Sequence, residues 1–557
     1  MYNLLVGGAA GQGVETTTEL LERFLKQAGC GVFTMRDLMS RIRGGHNFAR
    51  IRFGEQAAKS HSERLDGIIA MDEKTIEIHK GDLQPEGFIL CDTSAKTDDP
   101  RAISLDMKSI AKSLGNVRAA GSVAVGAALK LFGLPLDEEA VADVFALALK
   151  PELIEVNVKA ALAGYAAVSK MFEPVTGNFS GHMIISGNRA LALGAMAAGL
   201  QFYAAYPMSP STSILEYLAQ KAGALGIVVE QAEDEISAIN FAIGASFAGG
   251  RAMTGTSGGG FSLMVEALGL SGIAEIPLVA VDVQRPGPAT GLPTRTEQSD
   301  LKFVISASQG EFPRMVIALR HHEDAYLQTI RAFDMAEKYQ IPVILLSDQY
   351  LADTTTTIPV QNTQTIRPFE PEALQEQGEY ARYRYTDSGI SPRMIPGDKR
   401  GFAAADSDEH DEYGRIIEDA ETRVRMMDKR MGKLELLKKQ DLQEPELLGE
   451  ANPQVLLIGW GSLYGPLEEA VQLLNKKGDK TYGALVFGDI WPLPHKLLEE
   501  MAAGAKAVIN VEQNYTGQLA SLVREVTGIK TSASVLKYDG RQLSGEEIAQ
   551  RVAGEGF

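Results

Sequence analysis

The sequence predicts an α/β protein of several domains, and two observations lead to that prediction. Apolar runs of strand length alternate with longer stretches of helical periodicity along most of the chain. The chain has 557 residues, enough for roughly three or four domains of ordinary size. At 45% hydrophobic and 23% charged, it has the balance of a globular protein that buries its cores without disulfides.

The elements can be taken in order. Residues 1–175 open on the strand "YNLLVGG", a glycine-rich turn and the helix "TTTELLERFLKQAG", followed by "LDGIIAMD", "GFILCDT" and "SVAVGAALKLFGL". This first α/β segment ends near residue 175, where "FEPVTGNFSG" gathers Pro, Gly, Asn and Ser. A second α/β segment, 183–352, begins at "HMIISGNRALALGAMAAGLQFYAAYP". It continues through the strands "IVVEQA", "IPLVAVDV" and "IPVILLSD" and the helix "HEDAYLQTIRAFDMAEKYQ". Residues 353–450 read as an extended connector ending in a long charged helix, "DEYGRIIEDAETRVRMMDKRMGKLELLKKQ". The last segment, 451–557, alternates "QVLLIGWG", "YGALVFGD" and "AKAVINVEQN" with helices and is a third α/β domain.

Charge and cysteine content narrow the function. A formal net charge of -18 argues against nucleic acid as a partner, because phosphate binding needs a basic face. Two cysteines, Cys30 and Cys91, fit a reducing cytoplasm and are too few for a four-cysteine cluster or zinc site within the chain. The opening "MYNLLVGGAAGQGVE" lacks the basic start of a signal peptide, and no apolar run is long enough to span a bilayer. The expected location is the cytoplasm, with no membrane partner and no metal held by this chain alone.

Four stretches could bear chemistry. The turn with Gly7, Gly8, Gly11 and Gly13 could start a helix beside a phosphate, but its spacing misses the dinucleotide pattern, and a plain tight turn is the better reading. Residues 36–64 form a basic island of Arg36, Arg41, Arg43, Arg50, Arg52, Lys59 and Arg64 against Asp37, Glu55 and Glu63. That island suits a polyanionic ligand or an acidic partner as well as it suits a strand with arginines on its wet face or at a subunit contact. His46 within it reads as a hydrogen-bonded structural histidine before a functional one.

The centre is the most informative part. The strand before "EQAEDEISAINFAIGASFAGG" runs into Glu230, Glu233, Asp234 and Glu235, then enters a helix of small residues and the turn "TGTSGGGF". A carboxylate at such a junction is partly desolvated and can share a proton with a ligand nitrogen. Glu233 and Asp234 read instead as charges that complement the helix dipole. Further on, Arg285 follows a strand end directly, in "VQRPGPATGLPTRTEQSDL", where Pro286, Pro288 and Pro293 stiffen the loop. Arginine suits bidentate carboxylate recognition, and an acidic neighbour is its competing partner. Lastly, "AAYPMSPSTSILE" places Tyr206, Pro207, Ser209 and Pro210 in a stiff hydroxyl-bearing loop after an apolar run.

These motifs, in this order, resemble the α subunits of 2-oxoacid:ferredoxin oxidoreductases with the γ domain fused at the N-terminus, and are most similar to the 2-oxoglutarate type. The resemblance rests on "AAYPMSPST", "EISAINFAIGASFAGGRAMTGTSGGG", "QRPGPATGLPT", "DSGISPRMIPG", "DEHDEYG" and "VINVEQNYTGQL" and covers nearly the whole chain. It implies a γ-type domain at 1–175, a thiamine diphosphate pyrimidine-binding domain at 183–352 and a transketolase C-terminal-like domain at 451–557. The activity implied is conversion of 2-oxoglutarate, CoA and oxidised ferredoxin to succinyl-CoA, CO2 and reduced ferredoxin.

The resemblance also implies site residues. Glu235 would contact the coenzyme's aminopyrimidine, with Tyr206 and Pro207 beside it, although a packed ring is the competing reading for Tyr206. Ser209 and Arg285 would meet the substrate's carboxylate or keto oxygen, Pro207 and Pro210 aiming the Ser209 loop, and Thr294 would lie near the pocket. With two cysteines and no "GDG…N" run, Mg2+, the diphosphate site and a [4Fe-4S] cluster would sit on a β subunit, in a dimer of αβ heterodimers. CoA would be a substrate, and the basic island one candidate to hold it. The run "DSDEHDE" reads as a solvated loop, and Tyr385 to Arg393 with His410 as an interface. Two further readings stay open: the same chemistry on pyruvate or another 2-oxoacid, or a non-redox thiamine enzyme of the transketolase or oxoacid dehydrogenase kind.

Overall fold

The computed structural model describes residues 1–39, 44–361, 368–370, 380–478 and 480–556. Its elements form three sheets and divide into two compact units. The first is Met1–Ser186 with Asp353–Gln361, and the second is Gly187–Ala352 with Asn362–Phe557.

In the first unit, the strand Tyr2–Ala10 lies mid-sheet, and Leu4, Leu5 and Val6 are all buried, as a strand covered on both faces requires. On one side, Leu65–Ala70, Leu83–Asp92 and Ala102–Leu105 continue in parallel. On the other, Gly44–Gly54, Gly31–Asp37, Thr355–Ile358 and Met183–Ser186 follow antiparallel. The last two strands come from stretches that the periodicity placed in the second segment and the connector. Their ladder bonds, and the Thr356 hydroxyl donating to the Val32 carbonyl at 2.9 Å, fix them in the first unit instead. Gly11 and Gly13 take φ of +90° and +88°, which makes the opening turn a left-handed one suited to glycine.

Much of the basic island is occupied by internal pairing. Arg36 pairs with Glu22 at 2.9 Å and Glu15 at 3.3 Å, and Arg50 with Glu63 at 2.9 Å and Asp82 at 3.0 Å. Arg52 donates to the Ser60 carbonyl, while Arg41 and Arg43 lie outside the described residues. His46 is buried, its Nε2 2.9 Å from Nε2 of His79.

The second unit contains the other two sheets. One runs Met315–Ala318, Pro342–Asp348, Leu278–Gln284, Ala252–Thr256, Phe202–Ala205, Val228–Gln231, all parallel. Its outer edge is closed antiparallel by Asp489–Trp491, a strand from the C-terminal segment. Arg331 clamps that strand by reaching both oxygens of Asp489, at 2.5 and 2.7 Å. The C-terminal sheet is Glu446–Gly449, Tyr482–Phe487, Val455–Trp460, Ala507–Glu512 and Ala533–Leu536, parallel but for its first strand. One apolar core spans both, from Ile239, Phe261 and Leu346 to Trp460, Phe487 and Leu522.

The charged helix is Ala420–Gln440, capped by Asp419. It buries Met426, Leu434 and Leu437, and with them Lys429 and Lys433. Both lysines close on Glu275, which is fully buried and has a positive φ of +52°. The pair of cations holds the Glu275 carboxyl far below the usual range against the opposing effect of burial, while burial lowers Lys433 to about 7. The "DSDEHDE" run is solvated at Ser407 and Asp408 and anchored at Glu409 and His410. Glu409 receives Arg430 at 2.7 Å, and His410 is buried within this chain against the Tyr383 ring at 4.0 Å. Among the described residues, no helix is long and apolar enough to cross a membrane.

Candidate active site

In the parallel sheet of the second unit, the strand order reverses beside Phe202–Ala205. The chain passes from there to Val228–Gln231 on one side, then returns to Ala252–Thr256 on the other. Ligands of open α/β sheets bind outside the carboxyl ends of strands at such a reversal. Four connections leave the sheet there: 206–211, 232–234, Ser257 and 285–300.

Glu235 is the first residue of the helix Glu235–Phe247 and is only 5% exposed. Asp234, one residue earlier, is the N-cap, its carboxylate accepting from the Ser237 N–H at 2.7 Å, which lowers its pKa. Adjacent carboxylates thus divide the work: one starts the helix, and the other is turned inward. A Cβ on Gly260 would collide with the Glu235 carboxylate and the Thr256 hydroxyl, so the third glycine of "SGGG" is required to admit that carboxylate.

The Ser209 loop is held from three sides. The Asn188 amide donates to the Pro210 carbonyl at 2.9 Å, and the Ser211 hydroxyl to the Met208 carbonyl at 2.7 Å. Thr256 Oγ1 lies 3.5 Å from the Met208 sulfur, which joins the loop to the glycine turn. Ser209 itself is exposed. Arg285 donates to the Ser209 carbonyl at 2.6 Å. Among the described residues no carboxylate pairs with Arg285, and partial burial lowers its pKa. Its acidic-neighbour reading is therefore not what the fold adopts; the guanidinium keeps donors for an incoming carboxylate.

Tyr206 is 42% exposed, so the packed-ring reading fails for it; Pro207 is half-buried beside it. Thr294 is half-buried, and among the described residues no hydrogen bond ties it to Ser209, Arg285 or Glu235. The loop around it rests on the C-terminal domain, which sequence reasoning missed. Thr296 N–H donates to Gly540, Gln298 N–H to Gln513, and the Asn514 amide to the Gln298 carbonyl. Asn188, Met208, Thr256 and Gly260 were also missed as supports; only the glycine run signalled the last.

Three family models match the chain. They are "Pyruvate ferredoxin/flavodoxin oxidoreductase" at residues 3–167, "Pyruvate flavodoxin/ferredoxin oxidoreductase, thiamine diP-bdg" at 193–429, and "Pyruvate:ferredoxin oxidoreductase core domain II" at 454–548. A 2-oxoacid:ferredoxin oxidoreductase subunit alpha of a Sulfolobus species is 31% identical over 98% of this chain and 96% of its own. A 2-oxoglutarate oxidoreductase subunit of Mycobacterium tuberculosis is 30% identical over 98% and 90%. The solved 2-oxoglutarate:ferredoxin oxidoreductase from Magnetococcus marinus, with 2-oxoglutarate, coenzyme A and succinyl-CoA bound, superposes with a TM-score of 0.93. It is 32% identical, over 100% of this chain and 99% of that one.

Proposed function

Because the chain belongs to the 2-oxoacid:ferredoxin oxidoreductase family, as an α subunit, we propose that its substrate is 2-oxoglutarate. With CoA and oxidised ferredoxin this gives succinyl-CoA, CO2 and reduced ferredoxin, reversibly. The observation that supports a thiamine diphosphate site is the inward carboxylate of Glu235, given room by Gly260. The chemistry that coenzyme supplies when bound is a stabilised carbanion to attack the keto carbon. Glu235 would meet the coenzyme's pyrimidine ring with its inward carboxylate, and Tyr206 and Pro207 would lie beside that ring. Arg285 receives the 2-oxo carboxylate, and Ser209, fixed by that same arginine, presents its hydroxyl beside it. Because both groups are tied before substrate arrives, little ordering is needed on binding. Thr294 lies further out on the loop and contributes to pocket shape.

This chain supplies half of the machinery. Two cysteines are too few for a four-cysteine cluster and no "GDG…N" run is present, so the [4Fe-4S] cluster, with Mg2+ and the diphosphate contacts, belongs to a β subunit in a dimer of αβ heterodimers working in the cytoplasm. Exposed Ile236 and Phe241, on the helix that Glu235 begins, suit a covering partner. The basic island keeps Arg64 as a candidate to hold CoA phosphates. The second reading, pyruvate as substrate, draws on the family descriptions. The test is a panel of 2-oxoacids given to the purified complex with CoA and a low-potential acceptor. The highest kcat/KM is expected with 2-oxoglutarate; a higher value with pyruvate overturns the assignment.

A further inference from the structure

Three consecutive carbonyls of the Ser209 loop are each bound by a different side chain. Met208 accepts from the Ser211 hydroxyl at 2.7 Å, Ser209 from Arg285 at 2.6 Å, and Pro210 from the Asn188 amide at 2.9 Å. Ser211 belongs to the loop itself and Arg285 to the substrate side of the site. Asn188 belongs to neither: it is the second residue of the helix Gly187–Ala197 and is fully buried. Its amide nitrogen also donates to the Ser213 hydroxyl at 2.9 Å, in the first turn of the helix Thr212–Leu225. Both amide protons are therefore used, one on the loop and one on the helix that follows it. Rotating the amide would set its oxygen against the Pro210 carbonyl oxygen, so the donor orientation is fixed. The base beneath Asn188 is rigid. A Cβ on Gly187 would stand 2.1 Å from the Leu351 carbonyl oxygen, and one on Gly194 2.4 Å from that of Tyr326. At both positions the helix lies directly on a neighbour's backbone, so it has no slack to follow a moving loop.

Packing alone does not account for an amide here. The other amide atom, Oδ1, is buried and among the described residues unpartnered, which costs stability that an apolar side chain would keep. What the amide contributes is the place of the Pro210 carbonyl. We propose that Asn188 is a positioning residue: by holding Pro210 it sets the direction in which Ser209 presents its donors to the 2-oxoacid. The loop is built for that role. The Met208 carbonyl is turned to the Ser211 hydroxyl and N–H, and the N–H of the same trans peptide, that of Ser209, points the opposite way. With the carbonyls of residues 208–210 engaged, the exposed Ser209 offers its N–H and its hydroxyl, two donors suited to an anionic oxygen. Without Asn188 the Pro210 carbonyl is released, the loop shifts, and the hydroxyl loses its aim.

The inference rests on the proposed 2-oxoacid site, and a double-mutant cycle separates the two. The assembled complex is assayed with the 2-oxoacid of highest kcat/KM, whichever acid that proves to be. Ser209→Ala and Asn188→Ala should each raise the KM for the 2-oxoacid, Asn188→Ala by about 3- to 10-fold, while the KM for CoA stays level. The double variant should match Asn188→Ala alone, because a hydroxyl already misaimed has nothing further to lose. Where Asn188→Ala does not fold, Asn188→Ser takes its place in the cycle; it stays small and polar but is one bond too short to reach Pro210. A double variant whose KM rises by the product of the two single effects overturns the proposal and leaves the site standing. So does a rise in the KM for CoA equal to that for the 2-oxoacid, the mark of a general loosening. Ser209→Ala without effect on the 2-oxoacid KM overturns the role of Ser209 in the site and the proposal with it.

Discussion

Glu235 and Glu275 are both buried glutamates in the second unit, at 5% and 0% exposure, yet their surroundings are opposite. Glu275 is gripped by Lys429 at 2.6 Å and by Lys433, and Arg382 donates to its carbonyl at 2.7 Å. Glu235 has no cation against it among the described residues; a glycine and a threonine hydroxyl lie beside it. A buried carboxylate costs several kcal/mol unless something compensates it. At Glu275 the compensation is internal, so the residue is a bolt between the connector helix and the sheet. At Glu235 no cation of the chain supplies it among the described residues, which is the arrangement the proposed coenzyme contact requires.

That contrast can be broken from either side. The largest effect is expected at the ligand side. Glu235→Ala should cut 2-oxoacid turnover by about 10²- to 10⁴-fold, the usual span for losing a proton-handling group, while the complex still assembles on size-exclusion chromatography. Next, Glu275→Ala should lower unfolding free energy by about 3–5 kcal/mol, because it strands two buried lysines. Denaturant unfolding reads that loss, and the KM for the oxoacid in the folded fraction should stay near wild type. Swapped outcomes, with Glu235→Ala unstable and Glu275→Ala inactive but stable, would reverse the assignment of the two roles.

Smaller effects sharpen the substrate side. Arg285→Ala removes charge-assisted bonds of about 1.5–3 kcal/mol, so the KM for the 2-oxoacid should rise roughly 10- to 100-fold and the KM for ferredoxin hardly at all. Equal changes in both would contradict a carboxylate-binding role. Ser209→Ala removes one neutral hydrogen bond of about 0.5–1.5 kcal/mol, a KM change of a few-fold in steady-state assays. A change as large as that of Arg285→Ala would assign the serine more than a single contact.

The sequence made the strand-to-helix junction at Glu235, the strand-end position of Arg285 and the stiff Ser209 loop legible, because each is a local pattern. What it concealed lies in pairings distant along the chain. Arg285 spends a donor on a carbonyl from the Ser209 loop, which no spacing rule connects to it. Lys429 and Lys433 sit on a helix whose composition reads as solvated, and only their meeting with Glu275 reveals burial. Arg36 and Arg50 looked like free positive charge because three of their four acidic partners, Glu15, Glu22 and Asp82, lie outside the 36–64 window, Glu63 alone lying within it. The strands Met183–Ser186 and Thr355–Ile358 were assigned by sequence neighbourhood, whereas their hydrogen bonds join the first unit's sheet.

The role of Glu235 is decided by what its inward carboxylate meets. The decisive measurement is the separation between Glu235 and the pyrimidine ring in an experimental structure of the assembled α and β subunits loaded with thiamine diphosphate. Hydrogen-bond contact, at about 2.6–3.2 Å, is the predicted result. A carboxylate facing water or pairing with a side chain of the partner, with the ring held elsewhere, would contradict it.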